Sequence, residues 1–478
     1  MRRLAVFFAA CACLLTGCES PKILGPGEPI ALASQYFEAE CALGTQASDV
    51  QQFHALLYYP YEHALRFPGM VIGIEKSADN LVKRGAASAA ARQPQRHTAE
   101  ERFVHKRVFE DSKSMFISHV VSTGAGGAVA DTPLYNAYDN AKRIDPTAAQ
   151  PGQPVDCKGQ PVAAFDAFGD SWKAVQAVKT QLAKALATGA YTDVVVLSMG
   201  WNTNQIEAVQ NYNSLIHNLS KAAESRGDRF VPYVIGITWP SEWVNPWLEP
   251  AVRAVSVFNK ADDADEVGAG WMGAIIRHGV LPVTQQAAYN QHDKLRVTVL
   301  GHSFGARATS MAVCNGSILT PPAGTEWNTT PPAAGAVRWL VGLQGAYSLN
   351  RDLPDGAGLF KLRYDGCKLA GRQLLTASAH DNAAGVAAKV IRGAPFAGQK
   401  AAWDALKAGP HHSAFNFHTA TATGGLDATG ESLSASAWDY VDASALVFYN
   451  AYGTGGGAHS DIYRPQMGQL LWEFLRRE

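Results

Sequence analysis

The sequence predicts an α/β protein built on a mostly parallel sheet with helices on both faces. Three observations predict it. From Ser171 onward, stretches with apolar residues at helical spacing alternate with short apolar runs bounded by glycine, proline or asparagine, the pattern of repeated strand–helix units. DVVVLSMGWN, from 193, carries a continuous apolar run bounded by glycine, as expected for a strand buried on both faces. No element recurs at a fixed interval, which sets aside solenoids and propellers. The chain has 478 residues, 47% hydrophobic and 17% charged, enough for one enlarged domain or two. Its 41 lysines and arginines against 42 acids give a net charge of −1, so the basic excess of a nucleic-acid-binding surface is missing and no nucleic-acid partner is expected.

In chain order, WKAVQAVKTQLAKALATG has helical spacing and stops at Gly189, a natural residue just beyond a helix end. DVVVLSMGWN is the next strand, IEAVQNYNSLIHNLSKAAESRG a helix and PYVIGITWPSEW a strand. Residues 261–290 read as mainly helical and lead into LRVTVL, a strand. RWLVGLQGAYS and RQLLTASAHDN are two more strands, ALVFYNAY the last, and RPQMGQLLWEFLRR the closing helix with proline in its first turn. Upstream, RFVHKRVFED and SMFISHVVS alternate well enough to predict a hairpin turning at Ser112-Lys113. FHALLYYPYEHALRF, within the apolar stretch 36–78, reads as part-helical, while 83–101 and 124–160 read as loop. Insertions at 241–290 and 392–440 are the material for a lid; Trp243, Trp247, Trp271, Phe415 and Phe417 would line an apolar pocket or simply pack as core.

Between the strand at 295–300 and a small-residue helix from Ala306 stands GHSFG, with Ser303 at its centre. Glycines at 301 and 305 permit a sharp bend and close approach of neighbouring backbone, which holds a serine hydroxyl out at the sheet's carboxyl edge. A neutral serine is a poor nucleophile and needs a base, an acid to orient that base, and donors for an oxyanion. His459 follows the glycine-rich run 453–457 and precedes the final helix; His380, His411, His412 and His418 compete with it. Asp381 ends the apolar run 374–379, with Asp352 as its rival. Asp381 also suits a plain Asx turn or helix cap.

At four places the chain resembles the α/β-hydrolase superfamily: MGWN (199–202), WPS (239–241), GHSFG (301–305) and GAHSDI (457–462). The resemblance covers about residues 171–478 and implies the order nucleophile, acid, histidine. Ser303 is then the nucleophile, Asp381 the acid and His459 the base, with the backbone N–H groups of Phe304 and Trp201 as the oxyanion donors. It implies serine hydrolase chemistry on a carboxylic ester, either a small molecule or a lipid, with no metal and no organic cofactor. Amide cleavage and acyl transfer use the same constellation, and a non-catalytic binding or scaffold protein on the same fold is the reading from another class. Met199 stands where many similar chains have histidine, which predicts a loop without that polar brace. Trp239 reads equally as packing at the sheet edge.

The N-terminus reads as a targeting segment. Arg2 and Arg3 precede an apolar core over 4–14, closed by Leu15-Thr16-Gly17-Cys18. This resembles a bacterial lipoprotein signal, with residues 1–17 removed, Cys18 carrying the lipid and 18–35 a tether ahead of a hydrolase domain over 36–478. The apolar run is too short to span a bilayer. Glu19, not aspartate, follows Cys18, which by the same resemblance implies the outer membrane, facing the periplasm, with the lipid anchor as the contact to membrane. Cys41, Cys157, Cys314 and Cys367 remain for one or two disulfides, with a buried free thiol at Cys314 as the alternative.

Overall fold

The computed structural model describes residues 64–76, 99–109, 115–127, 133–137, 167–200, 203, 205–241, 260–286, 295–322, 327, 332–351, 353, 367–382, 395–427, 438–449 and 457–477. The expected signal segment, tether and lipid-bearing Cys18 lie outside them, as do Cys41, Cys157, Trp201, Trp243, Trp247 and Asp352.

Among the described residues ten strands form one sheet: β1 (Gly69–Lys76), β2 (Met115–Thr123), β3 (Tyr135–Asn136), β4 (Asp193–Ser198), β5 (Pro232–Thr238), β6 (Arg296–His302), β7 (Val337–Leu343), β8 (Ala370–Ala377), β9 (Phe415–Thr419) and β10 (Trp438–Asp442). Their order is β3-β2-β1-β5-β4-β6-β7-β8-β10-β9. Only the β1–β2 and β2–β3 pairings are antiparallel; the others are parallel. The α/β class follows directly. The helices are α1 (Ala99–Phe109), α2 (Ala167–Leu186), α3 (Gln205–Ser225), α4 over 260–284, α5 (Phe304–Ser310), α6 (Lys400–Lys407) and α7 (Pro465–Leu475). α4 contains π-helical turns at Gly268–Met272 and Ile275–Val280.

The period-two geometry of a strand sorts side chains to opposite faces, and β4 shows both destinations. Val194 and Val196 join the core with Trp172, Val175 and Leu182 of α2 and Trp271 and Ile275 of α4. Val195 and Leu197 join the opposite core with Leu215 and Leu219 of α3 and Leu470 and Leu471 of α7. A third cluster, Tyr347, Leu375, Phe417 and Tyr440, packs α6 against the far end of the sheet.

The structure corrects several expectations. RFVHKRVFED is not a strand: α1 covers 99–109 and buries Val104 and Val108, four apart and therefore on one helical face. β2 pairs instead with β1, whose run GMVIGI lies in the apolar stretch 36–78 to which no strand is assigned from sequence; it is buried on both faces between β2 and β5. ALVFYNAY is not the last strand. That strand is WDYVD, and Phe448 and Tyr449 beyond it are half exposed at 49% and 52%. Their rings lie over the Arg464 guanidinium, and both their N–H groups donate to Asp461 Oδ2 at 3.1 and 2.7 Å. The described parts of both expected lid segments are scaffold. Trp271 is buried with its indole N–H on Met115 O at 2.8 Å, and Phe415 and Phe417 are core. Cys314 is not a free thiol: it is disulfide-bonded to Cys367, 53 residues away. Closing a loop of that length stabilises by about 4 kcal/mol in the chain-entropy account.

Chain order across the sheet reverses at β4, which has β5 on one side and β6 on the other. Such a switch point opens a crevice at the carboxyl ends of the strands.

Candidate active site

Ser303 occupies that crevice. It follows β6 and precedes α5 with φ 58° and ψ −124°, a conformation that costs a non-glycine residue about 1–3 kcal/mol. Only Ser303 and Gln344 among the described non-glycine residues have positive φ. The strain is held by backbone bonds. Ser303 N–H donates to Leu343 O at 3.0 Å, and its carbonyl accepts from Ala306 (3.1 Å), Arg307 (3.3 Å) and Ala346 (3.1 Å). The flanking glycines are required by contact: a Cβ at 301 would strike the backbone of Gly305 and Ala306, and one at 305 would strike the Ser198 and Met199 carbonyls.

From the other side of the switch point, the loop after β4 closes on the serine. A Cβ on Gly200 would overlap Ser303 Cβ and lie 2.9 Å from its Oγ. Met199 is buried at 2% exposure and clamped twice: Trp239 Nε1 donates to its carbonyl at 2.9 Å and the Tyr463 hydroxyl to its sulfur at 3.5 Å. The loop therefore has a brace of a different kind from the expected missing histidine. Trp239 thus braces the loop after β4 as well as packing in the core. Phe304, the first residue of α5, has no acceptor for its backbone N–H among the described residues.

Asp381 and His459 come together as the sequence predicts. His459 Nδ1 donates to Asp381 Oδ2 at 2.7 Å, both side chains being buried at 2–3% exposure. A carboxylate only accepts, so this bond fixes the proton on Nδ1 and leaves Nε2 as the acceptor. The two loops are zipped together by an antiparallel bridge between Asp381 and Gly457 and by Ala458 N–H on His380 O at 2.9 Å. Gly457, at φ 63°, has no room for a Cβ beside that same carbonyl. Asp461, fully buried, accepts from Arg464 Nε at 2.7 Å as well as from the two amides of 448 and 449, so the histidine loop is pinned at both ends. His380 is not the partner of the acid: its carbonyl serves the zipper. His418 is committed elsewhere, with Nε2 on Asp439 at 2.9 Å, and His411 precedes and His412 opens a short 3₁₀ turn between α6 and β9.

The link between the serine and histidine elements runs through His302. Its Nε2 donates to the His459 carbonyl at 3.0 Å, and the two rings lie 4.9 Å apart. Burial, with the nearby His459 adding to it, pushes His302 down to about 3, so it stays neutral at working pH and keeps its single donor. Gln344 is the other unpredicted member. Directly after β7 at φ 46°, it reaches Asp381 Oδ2 with Nε2 at 3.4 Å and Gly398 O at 3.1 Å, while Thr376 Oγ1 donates to its Oε1 at 2.7 Å. Neither residue carries a local sequence signal, because each acts through a partner distant in the chain.

Behind the serine, Arg307 is locked from below. Asp265 of α4 takes bidentate bonds from Arg307 (2.9 and 2.6 Å) and from Arg351 (2.9 and 2.7 Å), all three residues being buried. Burial alone would raise the Asp265 carboxyl, but the two guanidinium groups hold it well below the usual carboxylate range. Among the described residues no cluster of histidines, cysteines and acids could hold a metal ion, and no helix is long and apolar enough to cross a membrane. The chain matches no family model, no curated protein and no solved structure.

Proposed function

We propose that the protein is a serine hydrolase of the α/β-hydrolase fold, acting on a carboxylic ester through an acyl-enzyme. The observation that carries the reading is the strained Ser303 elbow, whose neighbour His302 is hydrogen-bonded to His459, itself in a buried, hydrogen-bonded pair with Asp381. In this reading Ser303 Oγ attacks the ester carbonyl carbon and its proton passes to His459 Nε2. The imidazolium, stabilised and oriented by Asp381 through Nδ1, then returns the proton to the departing alkoxide. Water attacks the acyl-serine with the same histidine as base, releasing the acid and restoring Ser303. The Phe304 N–H and the amide of Trp201 would donate to the oxyanion, and the Gly200 backbone, in contact with Ser303, supports a loop at the right depth for this.

The same chemistry serves amide cleavage and acyl transfer, and the accepted leaving group and acceptor distinguish them. The Cys314–Cys367 disulfide is in keeping with export to an oxidising compartment, and with it we propose anchoring through Cys18 to the outer membrane, facing the periplasm. Turnover of short p-nitrophenyl esters tests the activity. The wild-type protein should release p-nitrophenol and His459→Ala should lose at least about a thousandfold in kcat. Turnover that survives His459→Ala would remove that residue from the mechanism.

A further inference from the structure

At the opposite, amino-terminal edge of the sheet lies a cleft of about 1160 Å³ whose lining includes six arginines: Arg229, Arg296, Arg338, Arg372, Arg476 and Arg477. Among the described residues that line it, none is acidic. For a chain whose charges otherwise balance, this is a strong local concentration of one sign.

Three carboxylates answer the six guanidinium groups. Asp193 takes both arms of Arg296 at 2.8 Å, Asp439 takes Arg372 at 3.3 Å, and Glu473 serves Arg476 at 3.1 Å and Arg477 at 3.7 Å. Those acids are shared further, Asp439 with His418 at 2.9 Å and Glu473 with Arg226 at 2.9 Å. Arg229 and Arg338 have no carboxylate partner among the described residues; each donates only to a backbone carbonyl, of Ala190 at 3.1 Å and of Arg477 at 3.0 Å. The Nε atoms of Arg338 and Arg372 are buried without an acceptor among the described residues.

The cluster is also held in place. Arg296 lies over the Trp472 ring at 5.5 Å, Arg372 over Trp339 at 4.7 Å and Arg477 over Phe474 at 4.4 Å. Arg296, Arg338 and Arg372 stand at the starts of the adjacent strands β6, β7 and β8. Like charges fixed side by side on a rigid edge repel one another, and an anion bound between them relieves that repulsion with little side-chain ordering left to do. Planar guanidinium groups match phosphate oxygens in paired hydrogen bonds. A single carboxylate leaves most of the excess unanswered, whereas a group with several ionised phosphate oxygens answers it.

We propose that this cleft is a binding site for a multiply charged phosphate group, separate from the serine site. The group belongs either to a soluble phosphate compound or to a phospholipid headgroup. The test is calorimetric titration of the full chain with inorganic pyrophosphate. Saturable binding is expected, weakened at high salt, with Arg229→Glu/Arg338→Glu lowering the affinity about tenfold or more while ester turnover is unchanged. No binding by the wild-type protein at millimolar pyrophosphate, or equal binding by the double variant, overturns the proposal. A measurement on the wild-type chain stands independently of how that variant folds. Pyrophosphate should slow phenylglyoxal modification of Arg338 and Arg372, located by mass spectrometry, and unslowed modification overturns the site. Repeating that protection with soluble dihexanoyl phosphatidic acid, against dihexanoyl phosphatidylcholine, separates the sources. With pyrophosphate protecting, further protection by the phosphatidic acid but not the phosphatidylcholine assigns a headgroup, and protection by pyrophosphate without it assigns a soluble phosphate.

Discussion

At the carboxyl edge of the sheet the chain stores strain and hides its charge, whereas at the amino edge it relaxes its backbone and leaves charge in excess. Ser303 and Gln344 both stand in unfavourable conformations immediately after neighbouring strands, β6 and β7, and both are buried within polar bonds. The acid and base beside them are paired with each other, and His302 is kept neutral by burial. The starts of β6 and β8 carry arginines propped on aromatic rings, and the start of β7 between them carries Arg338. Parallel strands explain the asymmetry. All the strand ends of one kind fall together, so residues distant in sequence meet at one edge, and each edge can be given a single character.

Substitutions can break this contrast. The largest effect is expected from Asp381→Asn, which leaves the geometry but puts the wrong proton arrangement on His459; kcat should fall about 10⁴-fold, and a fall under tenfold would mean that the acid is elsewhere. Asp265→Ala leaves Arg307 and Arg351 buried without their carboxylate and should destabilise the fold by about 3–5 kcal/mol by denaturant titration. Because the native Asp265 pKa is depressed, this contribution is present above the unfolded carboxylate value of about 4 and is lost as pH falls below it. The difference between wild type and Asp265→Ala should therefore shrink in acid; a difference that grows there would reverse the sign assigned to the cluster.

Gly200→Ala places a methyl group against Ser303 Cβ and should lower kcat about 10²-fold, whereas Gly335→Ala at the amino edge should leave turnover intact. Trp239→Phe removes the donor to Met199 O while keeping most of the ring. We expect about a tenfold loss in kcat with KM nearly constant, and a matching rise in KM alone would make Trp239 a substrate contact instead. The smallest effect is a gain. Ser303→Gly relieves the positive φ and should raise stability by about 1 kcal/mol as activity vanishes, a trade that no residue of the arginine cleft should show.

The class of the fold was legible because β4 carries an unbroken apolar run and strand and helix patterns alternate around it, and the triad candidates because each was read as following a strand. Gly301, Gly305 and Gly457 were legible for the same reason, as glycines next to residues that must turn. α1 was misread since Val104 and Val108 satisfy a helical spacing that short alternation imitates. β10 was misread since WDYVD carries two aspartates: Asp439 is buried against His418 and Arg372, partners that sequence alone does not supply. β1 was lost inside the longer apolar stretch 36–78. Gln344, His302 and the Tyr463 hydroxyl were invisible for a common reason: their function lies in contacts to Asp381, His459 and Met199, set by the sheet and not by local sequence. The arginine cleft was masked by a balanced total, since a net charge says nothing of where the charges gather.

The central claim is that Ser303 is an activated nucleophile, and covalent labelling tests it most directly. Incubating the full chain with an active-site-directed fluorophosphonate and mapping the adduct by mass spectrometry should give one modified residue, Ser303, with labelling lost in Ser303→Ala and slowed about a thousandfold or more in His459→Ala. A wild-type protein that is never labelled, or a Ser303→Ala variant labelled equally, contradicts the account.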